Sequence, residues 1–512
     1  MHAASKADVT ALIEDDRSLS WRELWELRNR IANGLLALGV KNEDVVINWF
    51  LNSIEGVATS QACTFINTIA TPMNHRLKAE EAGYILSNSK AVAVVVDQRF
   101  LPIAAECQAQ GDNVVDHWIV VGPGAPEWAI PLDRLVAESS AEAPDLEETG
   151  QGGSMIYTSG TTGKPKGALR RARPGPGGAA LASRGGPAAL NSFGFSTEDV
   201  HLAAGPLYHS APLAFLGIAL ALGNTSVVMS HFDAARSLEL IEKHKVTTTF
   251  MAPTLLKRIV SLPEEERKAY DVSSMRAIVV AGAPCPQSTK EAVVAYFGPV
   301  LYEFYGSTEL GINTLLMPDD VLRKPGSCGT AFAGMELQLL DDDGNVITAP
   351  HEPGELYVKR TGGMFDEYYG NEEATKEADR GGWLSVGDVA YFDEDGYYFI
   401  CDRKRDMIIS GGVNIYPAEI EDVLHRHQKI ADVAIFGIPD DEWGEAIHAA
   451  VQPIPGSDLT AEEVIRFADQ HLAGFKRPRT VSFHEEFPRD AAGKLIKRVL
   501  RDPYWEGRTT RV

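Results

Sequence analysis

The chain has 512 residues, 44% of them apolar and 23% charged. That composition is ordinary for a globular protein and speaks against disorder, and the length, well beyond the roughly 100–200 residues of one domain, calls for at least two folded units. Its 48 basic against 71 acidic residues give a formal net charge of −23, which excludes a long nucleic-acid track and leaves only local basic pockets for small anions.

The N-terminal "MHAASKADVTALIEDD" lacks the apolar core of a signal peptide. Ser20 with Glu23 three residues on predicts a capping box, followed by Leu24, Leu27, Ile31, Leu35 and Leu38 at helical spacing. "EDVVINW", "AVAVVVD", "HWIVVG" and "RAIVVAG" are short β-branched runs, the pattern of strands covered on both faces. Strand and helix alternate to about residue 310, hence α/β layers. Within that stretch "APLAFLGIALALG" is too short to span a bilayer and reads as a buried helix, so no transmembrane segment is expected.

Beyond residue 310, alternating runs broken by "DDDG", "DEDG" and "SGG" turns predict a β-rich subdomain. A last α/β segment holds Pro417 at a helix start, the strand "DVAIFGIP" and a Thr460–Glu463 capping box. The five charged residues Asp402–Asp406 mark the junction, and no repeat of fixed period occurs. The five cysteines, Cys63, Cys107, Cys285, Cys328 and Cys401, are scattered without a CxxC pair. They speak against disulfides and zinc and for a reducing cytoplasm.

Thr158, Ser159, Gly160, Thr161, Thr162, Gly163 and Lys164 follow the apolar "SMIY", so a strand delivers this loop to a sheet end. Turned backbone N–H groups, hydroxyls and the charges of Lys164 and Lys166 suit a polyphosphate, although the same residue types also build ordinary surface turns. Pro165 stands where a Walker loop needs Ser or Thr, which disfavours kinase-like chemistry.

"YTSGTTGKPKG" resembles the phosphate loop of the adenylate-forming enzymes: acyl-CoA synthetases, adenylation domains of peptide synthetases and firefly-type luciferases. Four further motifs of that superfamily follow in order: "YEFYGSTEL" (302–310), "WLSVGDVAYFDEDGYYFICDRKRD" (383–406), "ISGGVNIYPAEIE" (409–421) and "PRDAAGKLIKR" (488–498). The resemblance spans nearly the whole chain. It implies an α/β protein with a large domain (1–402) of two α/β-layered subdomains plus a β-rich one, which binds AMP and the acyl group. A small mobile α+β domain (403–512) would carry the catalytic lysine.

The chemistry so implied is ATP-dependent adenylation of a carboxylic acid, then transfer of the acyl group to a thiol. Both steps move negative charge and need cations and aimed donors. Lys494 would bridge carboxylate and α-phosphate. Glu309 and Thr158 resemble the Mg2+-side pair, since hard oxygens share that ion with phosphates. Tyr305, in the nucleotide-binding run with Gly306, Ser307 and Thr308, would stack on adenine opposite Gly282, Ala283 and Pro284. Asp388 and Arg403 would meet the ribose. His209 would border and gate the acyl pocket, but a lone histidine beside an apolar helix equally fits packing.

With no pantetheine-bearing module in the chain, free coenzyme A is the simplest acceptor. Ser410, Gly411 and Gly412 would pass its pantetheine arm, and Phe475, Arg477 and Arg479 would hold its nucleotide. A solvated basic patch is the alternative there. The acid pocket is expected from "LYHSAPLAF", "AGAPC" and "YGSTELGINT", apolar and without a cation for a second carboxylate, so a fatty, aryl or polycyclic acid is favoured. A carrier-protein thiol, oxygen as acceptor, and a nucleotide-binding regulator without turnover stand as alternatives; a homodimer is left open.

The chain departs from the superfamily at two places. Arg405 occupies the hinge position where many relatives carry Asp or Lys. Residues 171–190 hold five glycines and three prolines where relatives carry a helix, so this stretch opposes that helix and is expected to bind nothing.

Overall fold

The computed structural model describes residues 6–110, 115–146, 151–158, 165–172, 192–362, 364–403, 406–410, 413–440, 443–489 and 495–506, with Arg403 and Asn414 described through their backbone. All but the first two residues of the Gly/Pro-rich stretch, and Arg405, lie outside the described residues.

Two large sheets dominate. One is ordered Leu301–Glu303, Ala277–Val280, Thr248–Met251, Val200–Ala203, Thr225–Val228, Thr10–Glu14, Arg17–Ser20, and only its last pair is antiparallel. The N-terminal strand Thr10–Glu14 thus pairs with Thr225–Val228, far along the chain. The other sheet runs Glu367–Tyr368, Lys166–Arg171, Gly153–Thr158, Ile69–Pro72, Val45–Trp49, Ala93–Asp97, His117–Val121, Ile130–Pro131. Its first two pairings are antiparallel and the rest parallel. Val45–Trp49 and Ala93–Asp97 are buried at every position, as strands covered on both faces require.

Local signals explain the helices. Ser20 accepts from the Glu23 N–H while the Glu23 carboxylate accepts from the Ser20 N–H, and the helix Trp21–Ala37 buries Trp21, Leu24, Ile31 and Leu35. The apolar helix Ser210–Leu222 lies between the sheets and stops at Gly223, whose φ of 77° suits a residue without Cβ. At Ala461–His471 only half of the expected box forms. Thr460 accepts from the Glu463 N–H, but the Glu463 carboxylate is drawn 3.1 Å from the Lys429 ammonium, because that cation offers more than the N-cap amide.

The β-rich unit is an antiparallel sheet centred on Leu337–Leu340 and Gly354–Lys359. It ends on the hairpin Asp388–Phe392 with Tyr398–Arg403. A second, smaller sheet follows, built from Ile408–Ser410, Val413–Ile415, Ile430–Asp440, Gly444–Pro453 and Thr480–Phe483. It is packed by Pro417–Leu424, with Pro417 at the first turn, and by Ala461–His471. All five cysteines are free thiols, and among the described residues no helix is long and apolar enough to cross a membrane.

His201 is fully buried between parallel strands, its Nδ1 3.1 Å from Thr248 Oγ1, and burial pulls its pKa down to about 4, with Asp199 opposing. Between about pH 6.5 and 4 the unfolded chain binds a proton here that the fold refuses, so stability falls as pH falls. At pH 5 this site is expected to cost about 2 kcal/mol relative to pH 7. Urea midpoints of His201→Gln at the two pH values should drop less than those of the wild type; an equal drop would remove His201 from the acid response.

Candidate functional site

The strand Gly153–Thr158 ends at the site, and the antiparallel Lys166–Arg171 returns from it, with Thr158 opposite Lys166. The loop residues between, Ser159, Gly160, Thr161, Thr162, Gly163 and Lys164, lie outside the described residues. Lys166 carries its ammonium 5.3 Å from the centre of the Tyr368 ring.

Opposite stands the segment 305–309, which leaves the parallel sheet after Leu301–Glu303. Its hairpin, Gly306–Ser307 against Gly311–Ile312, is so close that a Cβ on Gly306 would run into the Gly311 carbonyl. Glu309 is buried. Its Oε1 accepts from Tyr368 OH at 3.0 Å and lies 3.4 Å from Thr158 Oγ1, so the expected Thr158–Glu309 pair does meet. Arg170 donates to the Thr308 carbonyl at 2.8 Å, and the Thr308 and Ser210 hydroxyls are 3.0 Å apart. Ser307 Oγ accepts from the Leu310 N–H.

Tyr305 OH donates to Asp388 Oδ2 at 2.6 Å. Asp388 is buried at the start of its strand, directly opposite Arg403 in the ladder. Register therefore sets the backbones of the two expected ribose partners side by side. Gly282, Ala283 and Pro284 follow the strand Ala277–Val280, with Gly282 at a φ of 92° and, like Pro284, exposed.

His209 is the N-cap residue of Ser210–Leu222. Burial, with help from the charge of Arg76, pulls its imidazole down to about 4, so at neutral pH it is uncharged, and its Nε2 is buried without a hydrogen-bond partner among the described residues. The neighbouring His75 is likewise held near 4 by burial and then by Arg76, and its ring meets Tyr208 edge-on at 5.1 Å. The three stretches expected to line an acid pocket do converge: Ala211, Phe215, Ala281 and Ile312 share one cluster with Phe193, Phe250, Phe304 and Phe332. Those stretches themselves carry no Lys or Arg, but Arg76, from another segment, lies near enough for its charge to act on His209. No local pattern in "NHRLKAEE" announces it.

Of the residues expected on the coenzyme A side, Ser410, Phe475, Arg477 and Arg479 are described and fall in the small C-terminal unit. Ser410 pairs with Gly444, while Gly411 and Gly412 lie outside the described residues, as does Lys494. Phe475 is 54% exposed, with the Lys476 ammonium 5.5 Å from the centre of its ring. Arg477 is ion-paired with Asp469 at 3.2 Å, and Arg479 lies 5.1 Å from the centre of the Trp443 ring. Trp443, one residue before Gly444, is a partner that the sequence reading missed; so are Arg170 and Tyr368.

With this geometry in view, the comparisons are direct. The AMP-binding enzyme family matches residues 1–369, and the AMP-binding enzyme C-terminal domain matches 419–494. The chain belongs to the AMP-binding enzymes. It is 34% identical to an indoleacetate–CoA ligase of Aromatoleum aromaticum, over 98% of this chain and 96% of that protein. To the long-chain-fatty-acid–CoA ligase FadD13 of Mycobacterium tuberculosis it is 33% identical, over 96% and 94%. Among solved structures, the anthranilate CoA ligase AuaEII in complex with anthranoyl-AMP superposes with a TM-score of 0.86 at 26% identity, covering 98% of this chain and 95% of that one.

For an AMP-binding enzyme the Tyr305–Asp388 pair has a direct test. Tyr305→Phe keeps the ring and removes its hydrogen bond to Asp388, and is expected to weaken AMP binding about fivefold, the worth of one hydrogen bond of about 1 kcal/mol. Asp388→Ala should weaken it more. Calorimetric titration with AMP reads both; unchanged affinity in both variants would take the pair out of the nucleotide site.

Proposed function

We propose that the chain is an ATP-dependent acyl-CoA ligase acting on an apolar carboxylic acid. The carboxylate attacks the α-phosphate of ATP to give acyl-adenylate and pyrophosphate. The thiol of coenzyme A then attacks the acyl carbon and expels AMP. The observation that carries this reading is the convergence on one short segment, 305–309: the hard oxygens of Thr158 and Glu309, the Tyr305–Asp388 pair, and the Ser210–Thr308 contact beside neutral His209.

Thr158 and Glu309 suit Mg2+, being an oxygen donor set of hydroxyl and carboxylate. When bound, that ion would neutralise phosphate charge. Glu309 would hold it, with Tyr368 fixing the carboxylate. The 159–164 loop and Lys166 would cradle the phosphates, Tyr305 would stack on adenine against Gly282–Pro284, and Asp388 with Arg403 would bind the ribose. The aromatic cluster around Phe215 supports an aryl or other apolar acid. Arg76 is a candidate for the acid carboxylate or a coenzyme A phosphate. Phe475 and Trp443 offer aromatic faces for the coenzyme A nucleotide, with Arg477 and Arg479 nearby and Ser410, Gly411 and Gly412 along the pantetheine path. We take the domain boundary at 402/403, and the free thiols suit a reducing cytoplasm.

The reading is tested with a panel of aryl and fatty acids, scored in the same reaction for nucleotide products and thioester mass. AMP, pyrophosphate and an acid-dependent CoA thioester are expected; ADP and phosphate would overturn it.

Lys494 separates the two steps. Lys494→Ala is expected to slow adenylation a hundredfold to a thousandfold, about 3–4 kcal/mol for one contact to a charge-bearing transition state. Thioester formation from supplied acyl-adenylate should continue. Equal loss in both half-reactions would argue against a role confined to adenylation.

A further inference from the structure

The last helix, Lys497–Arg501, presents two cations to the junction between the large and small units. Lys497 Nζ lies 2.8 Å from Glu421 Oε1 and 3.7 Å from Asp402 Oδ2. One turn on, Arg501 pairs with Asp406 at 3.1 Å. Asp402 belongs to the β-rich sheet, opposite Val389 in its final ladder, whereas Glu421 lies on the small unit's helix Pro417–Leu424 and accepts from the Ile435 N–H at 2.7 Å. Lys497 therefore shares its charge between one carboxylate from each side of the junction.

These are not solvated surface pairs. The side chains of Lys497, Asp402 and Glu421 are 19%, 11% and 16% exposed, so screening by water is weak. Burial disfavours the Lys497 ammonium, but Asp402 and Glu421 more than offset it and hold its pKa above the usual lysine range. Burial also raises the Glu421 carboxyl; Lys497 opposes that and Asp402 adds to it. The two carboxylates thus repel, with Lys497 between them. Losing Asp402 leaves a neutral Lys497–Glu421 pair, whereas losing Lys497 leaves two facing anions. The Asp402 contact, at 3.7 Å against 2.8 Å for Glu421, is the longer of the two, and Lys497 keeps a counter-charge in Glu421 when it opens.

We propose that Lys497 is a positioning residue: its ion pair with Asp402 selects the domain arrangement seen here and is released when the small unit reorients, while its pair with Glu421 persists. Lys497 touches no reacting atom in this scheme. It acts by setting how often the small unit occupies each orientation, and the kinetic part of the proposal rests on the two half-reactions of the ligase reading.

The test is Asp402→Asn, which keeps side-chain shape and leaves the Lys497–Glu421 pair neutral; Lys497→Met serves as the disruptive comparison. A label pair at Lys243→Cys, on the helix Ala234–His244, and Glu462→Cys, on Ala461–His471, reports the separation of the units by spin-label distance measurement without substrate. In that labelled background Asp402→Asn should shift or broaden the distance distribution. In unlabelled enzyme, pyrophosphate exchange and thioester formation from supplied acyl-adenylate should move in opposite directions, changing their ratio about tenfold. Unshifted distances with a ratio within about twofold of wild type, or both half-reactions falling together, would overturn the proposal. Should the wild type catalyse neither half-reaction, the ligase reading fails, while the distances still decide whether Asp402–Lys497 holds the units.

Discussion

The site depends on a buried carboxylate. Glu309 sits out of solvent with the Tyr368 phenol and the Thr158 hydroxyl on one oxygen, and these partners come from segments 59 and 151 residues away in the chain. An ionised carboxylate removed from water is costly without donors or a cation. The fold must therefore bring the Gly153–Thr158 strand, the 305–309 segment and the Glu367–Tyr368 edge strand together before Glu309 can be buried. The edge strand completes the second sheet by pairing with Lys166–Arg171, so the geometry that offers Glu309 its donors is the same geometry that closes the sheet.

The 305–309 segment then distributes order to the rest of the site. Its N-terminal end holds Asp388 through the Tyr305 phenol, and its middle is held by Arg170 and by Ser210, the first residue of the buried helix. The strand that carries Asp388 and the buried helix Ser210–Leu222 are thus fastened to one backbone run rather than to separate loops. The rigid scaffold on either side is parallel sheet, which leaves strand ends as the place where such a run emerges.

Much of this was legible in the sequence where the cause is local. The Ser20–Glu23 box, the fully apolar strands and the apolar helix after His209 all follow from spacing within a few residues. So did the pairing of Thr158 with Glu309, but only through the superfamily's motifs, since no spacing rule joins residues so distant. Tyr368, Arg170, Arg76 and Lys497 were passed over for the same physical reason: each acts on a partner brought near by tertiary packing. The half-formed box at Thr460 shows the reverse. A local signal was present, and a distant lysine outcompeted it for Glu463.

The position of the first strand carries a consequence for biosynthesis. Thr10–Glu14 leaves a ribosome well before its parallel neighbour, Thr225–Val228, which is made more than two hundred residues later. At about 5–20 residues per second, that apolar strand waits roughly 10–40 s for its partner. Until then it has only the hairpin with Arg17–Ser20 to satisfy one edge. Nascent chains stalled before residue 225 thus expose an unpaired strand edge, the form most prone to pairing with another chain and most in need of a chaperone.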